Sequence, residues 1–346
     1  MQKSQGKVFV GVSGGVDSSV SLALLKDAGY DVVGCFIRTW QPDFIECTWK
    51  EERRDAMRVC AKLGVPFITI DAEQEYKELV GEYFINEYRM GRTPNPDVMC
   101  NREIKFGVFL RYALAHGADY VATGHYARTK DAKLLAGIDK SKDQSYFLWT
   151  LTPDQLSHTL FPIGHLEKTE VRKLAEKYDL PTAMKKDSQG VCFMGPIDMK
   201  EFLAHYIEKK RGEVLDIDGN VIGYHDGALF FTLGERHGFT ITSKGTDDSR
   251  LYVVDRDLEK NTLTVSTNDI KSEKSNKRII LESINWIVPP LEGKKYGARI
   301  RYQQVLQDCF VEGHTVTFDI PQDTATSGQS IVVYDGDVCL GGAIIV

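Results

Sequence analysis

Lys7-Val-Phe-Val-Gly-Val12, Ser13-Gly-Gly-Val-Asp-Ser-Ser19 and Val20-Ser-Leu-Ala-Leu-Leu-Lys26 follow one another directly and read as a strand, a glycine turn and a helix. Two glycines let the backbone bend sharply, so successive N–H groups can converge on an anion. The helix N-terminus adds partial positive charge, worth up to about 2 kcal/mol in favourable geometry. Ser18 and Ser19 add hydroxyl donors. The stretch lacks both the Gly-Lys-Ser/Thr ending of a Walker loop and the Gly-x-Gly-x-x-Gly spacing of a dinucleotide fold. Asp17 would repel a phosphate unless a cation intervened, which points to magnesium shared between protein and nucleotide. The plainer alternative is a Ser/Gly-rich turn with Asp17 near a helix cap.

Outward from this turn the chain alternates. Strands are predicted near 7–12, 31–37 and 66–70, and helices near 17–28 and 50–63, with Gly29 and Gly64 where helix ends belong. Helical segments near 73–89 and 101–115 precede the short strand Ala118-Asp-Tyr-Val-Ala-Thr123. This pattern predicts an α/β domain, a parallel sheet with helices on both faces. Ligands of such sheets bind beyond the carboxyl ends of the strands, so the 13–19 turn and Thr123-Gly-His-Tyr126 share a rim and can bracket one nucleotide. From about residue 212 short β-rich runs take over, separated by turns such as Asp218-Gly-Asn220. A charged bridge, Lys271 to Arg278, leads to a second β-rich stretch with a hairpin expected at Asp335-Gly336. The expected division is an α/β domain over residues 1–208, a small β-rich domain over 209–272 and a β domain, barrel or sandwich, over 273–346.

The 346 residues are 42% hydrophobic and 27% charged, ordinary for a soluble globular protein of two or three domains. No apolar run approaches the roughly 20 residues that span a bilayer, and the N-terminus has no signal-peptide pattern, so a cytoplasmic, membrane-free protein is expected. Cys35, Cys47, Cys60, Cys100, Cys192, Cys309 and Cys339 form no C-x-x-C pair, and their odd number fits a reduced protein better than a disulfide framework. A net charge of −6 gives no global support for nucleic-acid binding. Any RNA contact must come from local surfaces such as Lys209-Lys-Arg211 or Arg299 with Arg301.

Thr93-Pro-Asn-Pro-Asp-Val-Met-Cys-Asn101 lies between two helical segments, and its prolines stiffen the chain that sets Asp97 about one turn from Cys100. An unperturbed thiol is only about 3% thiolate at pH 7, and a helix start lowers its pKa. Asp97 opposes that effect if ionised, and makes better sense as an acid or base for a substrate group. Cys192 sits in Asp187-Ser-Gln-Gly-Val-Cys-Phe-Met-Gly195, a polar, glycine-bounded loop of the kind that carries function. If the fold brought the two cysteines together they could form a transient disulfide, one carrying sulfur and the other resolving it. Cys35, Cys60, Cys309 and Cys339 read as core, and Cys47 stays open.

The heptapeptide at 13–19 resembles the PP-loop of ATP pyrophosphatase-like enzymes, which implies an adenine nucleotide alpha hydrolase-like domain, cleavage of ATP between the α and β phosphates, and adenylation of a carbonyl. The ordered set is more specific. The 13–19 turn, Asn95-Pro-Asp-Val-Met-Cys100, Ile104-Lys-Phe106, Ala122-Thr-Gly-His-Tyr126, Lys142-Asp-Gln-Ser-Tyr-Phe-Leu148 and Gly190-Val-Cys-Phe193 resemble, in order, the tRNA-specific 2-thiouridylase family. Phe231-Thr-Leu-Gly-Glu-Arg-His-Gly238 resembles its central domain, and Arg299-Ile-Arg-Tyr302 with Ser327-Gly-Gln-Ser330 its C-terminal barrel.

That resemblance implies ATP- and magnesium-dependent 2-thiolation of the wobble uridine, position 34, of tRNA. It assigns the nucleotide to Gly11, Val12, Ser13, Gly14, Gly15, Val16, Asp17, Ser18 and Ser19, with Ile37 and Gly124, and gives Asp17 a role towards magnesium. Cys192 would carry a persulfide received from a cysteine desulfurase or sulfur-relay protein, and Cys100 would be the nucleophilic partner. Asn95, Pro96 and Asp97 would meet the target base, with Asp97 the acid/base. His125, Lys142, Asp143, Gln144, Arg301, Tyr302 and Gln329 would contact the tRNA anticodon stem-loop, and the protein is expected to act as a monomer. The chain departs from the family pattern at Ile37-Arg-Thr-Trp-Gln-Pro42, at Glu235 and at Met194-Gly-Pro-Ile-Asp198. Two rivals are an amidating PP-loop ligase, which would need a glutaminase and no loop cysteines, and a non-catalytic RNA-binding protein with a relic nucleotide site.

Overall fold

The computed structural model describes residues 5–45, 49–186, 199–242, 250–267, 276–322 and 325–346. Cys47 and the whole 187–198 segment with Cys192 lie outside the described residues.

The N-terminal sheet is built from β1 (Lys7–Gly11), β2 (Asp31–Arg38), β3 (Phe67–Asp71), β4 (Tyr120–Ala122) and, after a hairpin of β5 (Ala127–Lys130) and β6 (Lys133–Ala136), β7 (Thr159–Leu160). All five strands run parallel in the order β3-β2-β1-β4-β7. Alternation along β1 explains its central place. Val8 and Val10 pack with α1 (Val16–Asp27) and α2 (Trp49–Leu63), whereas Phe9 packs on the other face with Phe109 and Val121. Both faces are therefore covered, as an all-parallel sheet requires.

The two long helical runs expected after β3 are observed with a difference. Each contains a widened π-helical stretch, Lys77–Glu82 in one and Cys100–Val108 in the other, and the second run starts at Pro96. Segments of this kind are rare and recur at functional sites.

A five-stranded sheet follows: β8 (Gly212–Leu215), β9 (Val221–His225), β10 (Phe239–Ile241), β11 (Tyr252–Asp257) and β12 (Thr262–Ser266), in the order β10-β9-β8-β12-β11. Its first hairpin turns at Asp218-Gly-Asn220, where Asp216 accepts the Asp218 and Asn220 N–H groups.

The last six strands are β13 (Asn276–Trp286), β14 (Tyr296–Arg299), β15 (Gln307–Glu312), β16 (Thr315–Gln322), β17 (Ser330–Asp335) and β18 (Val338–Ile345). They pair in the order β13-β16-β15-β14-β17-β18, and β18 returns to β13, which closes a six-stranded barrel rather than a sandwich. The β17–β18 hairpin turns at Gly336, with φ +60°, where the sequence places it.

The β5–β6 hairpin ties the domains together. Leu134 and Leu135 pair with Cys339 and Val338 of β18, so the first domain adds two strands to the barrel wall. Its turn holds Asp131 and Ala132 at φ +51° and +55°, the double left-handed pair of a tight hairpin. No glycine marks it, which hides it from sequence reading. Among the described residues no helix is long and apolar enough to cross a membrane.

Candidate active site

β1 ends where Val12 donates its N–H to the Cys35 carbonyl at 2.8 Å, so the chain leaves the sheet at a fixed point. Gly14 then takes φ +76°, a conformation costing other residues roughly 1–2 kcal/mol, and Gly15 begins α1 without any side-chain cap. The amides of the first helical turn are thus free of a capping side chain, as an anion site requires. Ser18 Oγ lies 3.2 Å from Ser13 N and from Ser13 Oγ, and Ser19 Oγ donates to the Gly15 carbonyl at 2.6 Å. These hydroxyls hold the turn's shape. Gly124 closes against it from the end of β4, where a Cβ would stand 2.6 Å from Ser18 N. Gly11 and Ile37 lie on the adjacent strands β1 and β2, so the residues expected to hold nucleotide share the carboxyl rim of the sheet.

Asp17, in the first turn of α1, accepts from Lys168 Nζ on both carboxylate oxygens, at 2.7 and 2.9 Å, and from the Tyr126 hydroxyl at 2.9 Å. Lys185 Nζ reaches the Gly14 carbonyl at 3.0 Å and Asp55 at 2.8 Å. Two ammonium groups therefore stand at the 13–19 turn. Sequence reading missed both. A signal was available for Lys168: it opens the helix Lys168–Lys177, and a cation at a helix N-terminus opposes the dipole. Asp17, expected beside magnesium, holds an ammonium here. A divalent ion fits this donor set poorly through Asp17 alone, because both carboxylate oxygens already engage the Lys168 ammonium.

Asn95 caps the helical turn Pro96–Met99 by accepting from Asp97 N at 3.1 Å and Val98 N at 3.3 Å, with Pro96 in the first helical position. Asp97 is half-buried. Cys100 is fully buried among Ala72, Tyr76, Val80, Met99 and Ile104. Its thiol is sealed from solvent in this conformation, and it begins the π-helical stretch. The Pro96–Met99 turn packs against Ser145–Leu148, which brings it beside the 142–144 loop.

The residues expected to meet RNA divide. Arg301 is exposed, while Lys142, Gln144 and Tyr302 are half-buried, with the Tyr302 ring 4.6 Å from that of Phe147. Asp143 is buried and pairs with Arg299 of the barrel at 2.7 Å, also accepting from Gly137 N and Ser145 N. His125 is buried as well, between Phe106 and Phe161, with Nδ1 2.7 Å from Thr123 Oγ1 and Lys105 Nζ 3.5 Å from Nε2. Burial, and secondarily Lys105, lowers its pKa well below the usual histidine value. Gln329 turns inward and donates to the Thr93 carbonyl at 2.7 Å. Glu235 pairs with Lys200 at 2.5 Å and accepts from Thr232 N, so its carboxylate stabilises a turn. Cys35, Cys60, Cys309 and Cys339 are buried free thiols, and burial raises the pKa of each. They serve as core.

Three protein families match successive parts of the chain: the tRNA methyl transferase HUP domain over residues 6–196, the tRNA methyl transferase PRC-barrel domain over 200–267 and the aminomethyltransferase beta-barrel domain over 276–345. The tRNA-specific 2-thiouridylase MnmA of Alkaliphilus oremlandii is 47% identical over 352 residues, covering 98% of this chain and 96% of the relative. Those of Proteus mirabilis and Pseudomonas aeruginosa (strain LESB58) are each 46% identical, covering 99% and 98% of this chain and 97% and 94% of theirs. With a glycine-built anion turn on the rim of a parallel sheet, and likeness at this level over nearly its whole length, the chain belongs to the tRNA-specific 2-thiouridylase family.

Proposed function

We propose that this protein converts the wobble uridine, position 34, of tRNA to 2-thiouridine, with ATP as activator and a cysteine persulfide as sulfur source. The observation that carries the reading is the uncapped first turn of α1, closed by Gly124 and flanked by Lys168 and Lys185. Such a cradle suits a polyphosphate: turn amides bind the oxygens and two ammonium groups offset the charge. In this reading Gly11, Val12, Ile37 and Gly124 line the nucleoside side, residues 13–19 bind phosphate, and Asp17 orients Lys168. Magnesium would accompany the nucleotide.

Carbon 2 of uracil is flanked by two nitrogens, a urea-like carbonyl that resists direct displacement. Its oxygen attacks the α-phosphorus of ATP, and pyrophosphate leaves. Asn95, Pro96 and Asp97 receive the extruded base, and Asp97 handles its proton. Extrusion costs least in a loop, where the base is already unpaired. The terminal sulfur of a Cys192 persulfide, supplied by a cysteine desulfurase or relay protein, attacks carbon 2 and AMP departs with the oxygen. Cys100 then attacks the Cys192 sulfur. The S–S bond breaks, its electrons go to the sulfur on carbon 2, and a Cys100 to Cys192 disulfide remains for an external thiol to reduce. Alternatively, Cys100 frees hydrosulfide from the persulfide first. Either route requires the buried Cys100 to be uncovered, and Cys100 begins a π-helical stretch, a feature frequent at functional sites. Lys142, Gln144, Arg301 and Tyr302 supply the surface for the anticodon stem-loop, with Asp143, His125 and Gln329 shaping it from within.

Purified protein, ATP, a persulfide donor and unmodified tRNA should yield 2-thiouridine by nucleoside mass spectrometry, with AMP and pyrophosphate as co-products. Cys100→Ser and Cys192→Ser should each abolish it. Release of ADP, or normal thiolation by either variant, would overturn the mechanism.

A further inference from the structure

Three consecutive residues just ahead of the 95–100 turn are held by other domains, Gly91 by the central sheet and Arg92 and Thr93 by the barrel. The Gly91 carbonyl accepts from Arg256 of β11. Arg92 Nε stands 2.9 Å from Glu87 as an ion pair without hydrogen-bond geometry, and its Nη2 donates to Glu282 of β13. Thr93 donates to the Ser327 carbonyl at 2.9 Å and accepts from Gln329 at 2.7 Å, while a Cβ at Gly328 would meet Thr93 N at 2.9 Å.

We propose that Arg92 is a positioning residue of the reaction, fixing the 95–100 turn to the C-terminal barrel through Glu282. The proposal rests on the thiolation reading above. A guanidinium suits this post because its rigid fork reaches two carboxylates on two elements at once, which an ammonium on a flexible stem does less well. The side chains of Glu87 and Arg92 are 8% and 21% exposed, so the pair is largely shielded from solvent, while Glu282 at 38% is its outer end. Beyond Arg92 the chain runs Thr93-Pro-Asn-Pro-Asp97. Prolines at 94 and 96 fix φ there, which leaves fewer rotations between Arg92 and Asp97 to absorb a shift, and Thr93 is tied to the same barrel through Ser327 and Gln329. A displacement near 1 Å at a reacting group costs up to about a hundredfold in rate.

The test compares Arg92→Ala, Arg92→Lys, Glu282→Ala and the Arg92→Ala/Glu282→Ala double variant with the unaltered protein. The readouts are kcat and KM for tRNA thiolation, and ATP affinity by calorimetry. Arg92→Ala should lower kcat at least tenfold with ATP affinity unchanged, and Arg92→Lys should recover part of the loss. Because one residue acts through the other, the double variant should be no slower than Arg92→Ala. Glu282→Ala, cut at the exposed end of the pair, keeps the test open if Arg92→Ala fails to fold, and should itself lower kcat. A kcat within twofold of the unaltered protein for folded Arg92→Ala or Glu282→Ala, a loss in ATP affinity, or additive effects would overturn the proposal. Absence of thiolation by the unaltered protein would instead overturn the functional reading, and this proposal with it.

Discussion

Lys168 sets its ammonium 2.7 and 2.9 Å from the two carboxylate oxygens of Asp17, inside the first turn of α1. A carboxylate next to a phosphate cradle is unfavourable by itself, but here it acts as the holder of a cation. With Asp17 accepting also from Tyr126, the position of Lys168 is fixed by the protein itself, as the proposed nucleotide site needs. A charge-assisted hydrogen bond contributes about 1.5–3 kcal/mol, so Lys168→Gln should weaken ATP binding about tenfold or more. Asp17→Asn should weaken it less, since the ammonium survives though less well placed. Calorimetric titration with ATP checks both. Unchanged affinity in Lys168→Gln would show that the ammonium faces away from the phosphates.

Gly124 makes a sharper test of the cradle, because its substitution adds one carbon and no charge. The added Cβ would lie 2.6 Å from Ser18 N and 2.8 Å from the Asp17 carbonyl carbon, both backbone atoms of α1. Backbone cannot swing aside as a side chain does, so the helix start itself must shift. Gly124→Ala should destabilise the protein by about 1–3 kcal/mol and reduce ATP affinity as well. Urea denaturation gives the first and titration the second. Full ATP affinity in the variant would mean the first turn does not bind phosphate.

The parallel sheet and the glycine turn at its rim were legible because both rest on local pattern: strands alternating with helices, a run of consecutive apolar residues in β1, and glycines where the chain bends. The hairpin 127–136 was not, since Asp131 and Ala132 adopt left-handed conformations that glycine or asparagine usually signals. Asp143 and Gln329 read as polar residues open to RNA, yet one is buried against Arg299, 156 positions away, and the other bonds Thr93, 236 positions away. Contacts at that separation leave no local trace. Cys100 shows the same limit differently: its Pro-Asn-Pro-Asp context marks a turn, but the apolar pocket that seals it comes from Ala72, Tyr76 and Val80 on the preceding helical run.

His125 should give stability a pH dependence below neutrality. Burial and Lys105 depress its pKa in the folded protein, so between that depressed value and the unfolded value near 6.5 only the unfolded chain binds the proton. Protonation then favours unfolding. The contribution is fully present above about pH 6.5 and is lost as pH falls below it, with a slope of up to about 1.4 kcal/mol per pH unit. His125→Gln removes the titrating group. Its urea midpoint should therefore fall less steeply from pH 7 to pH 5 than that of the unaltered protein. Parallel profiles would mean that His125 takes up its proton as readily in the folded protein as in the unfolded chain.

Asp143 and Arg299 form a buried ion pair that joins the first domain to the barrel, and the two loops proposed to meet RNA hang from it. Asp143 lies between Lys142 and Gln144; Arg299 precedes Arg301 and Tyr302. Around the pair, Arg299 also donates to the Tyr334 hydroxyl at 2.6 Å, Gln303 donates to the Ser141 carbonyl at 2.9 Å, and Tyr146 donates to the Ser330 carbonyl at 2.8 Å. Removing one partner strands the other charge in a dry site, at a cost of about 3–5 kcal/mol, whereas replacing both with apolar residues of similar volume is close to neutral. Asp143→Ala and Arg299→Ala should each lower the urea midpoint strongly, and Asp143→Leu with Arg299→Met should restore only part of it, because the buried Gly137 and Ser145 N–H groups stay without their acceptor. The ATP site shares none of these contacts, so ATP affinity should persist in the double variant. Its tRNA affinity should fall, because the two loops lose their common anchor even though Lys142 and Arg301 remain. A double variant that binds tRNA as tightly as the unaltered protein would show that the pair supplies stability alone and leaves the RNA surface to other contacts.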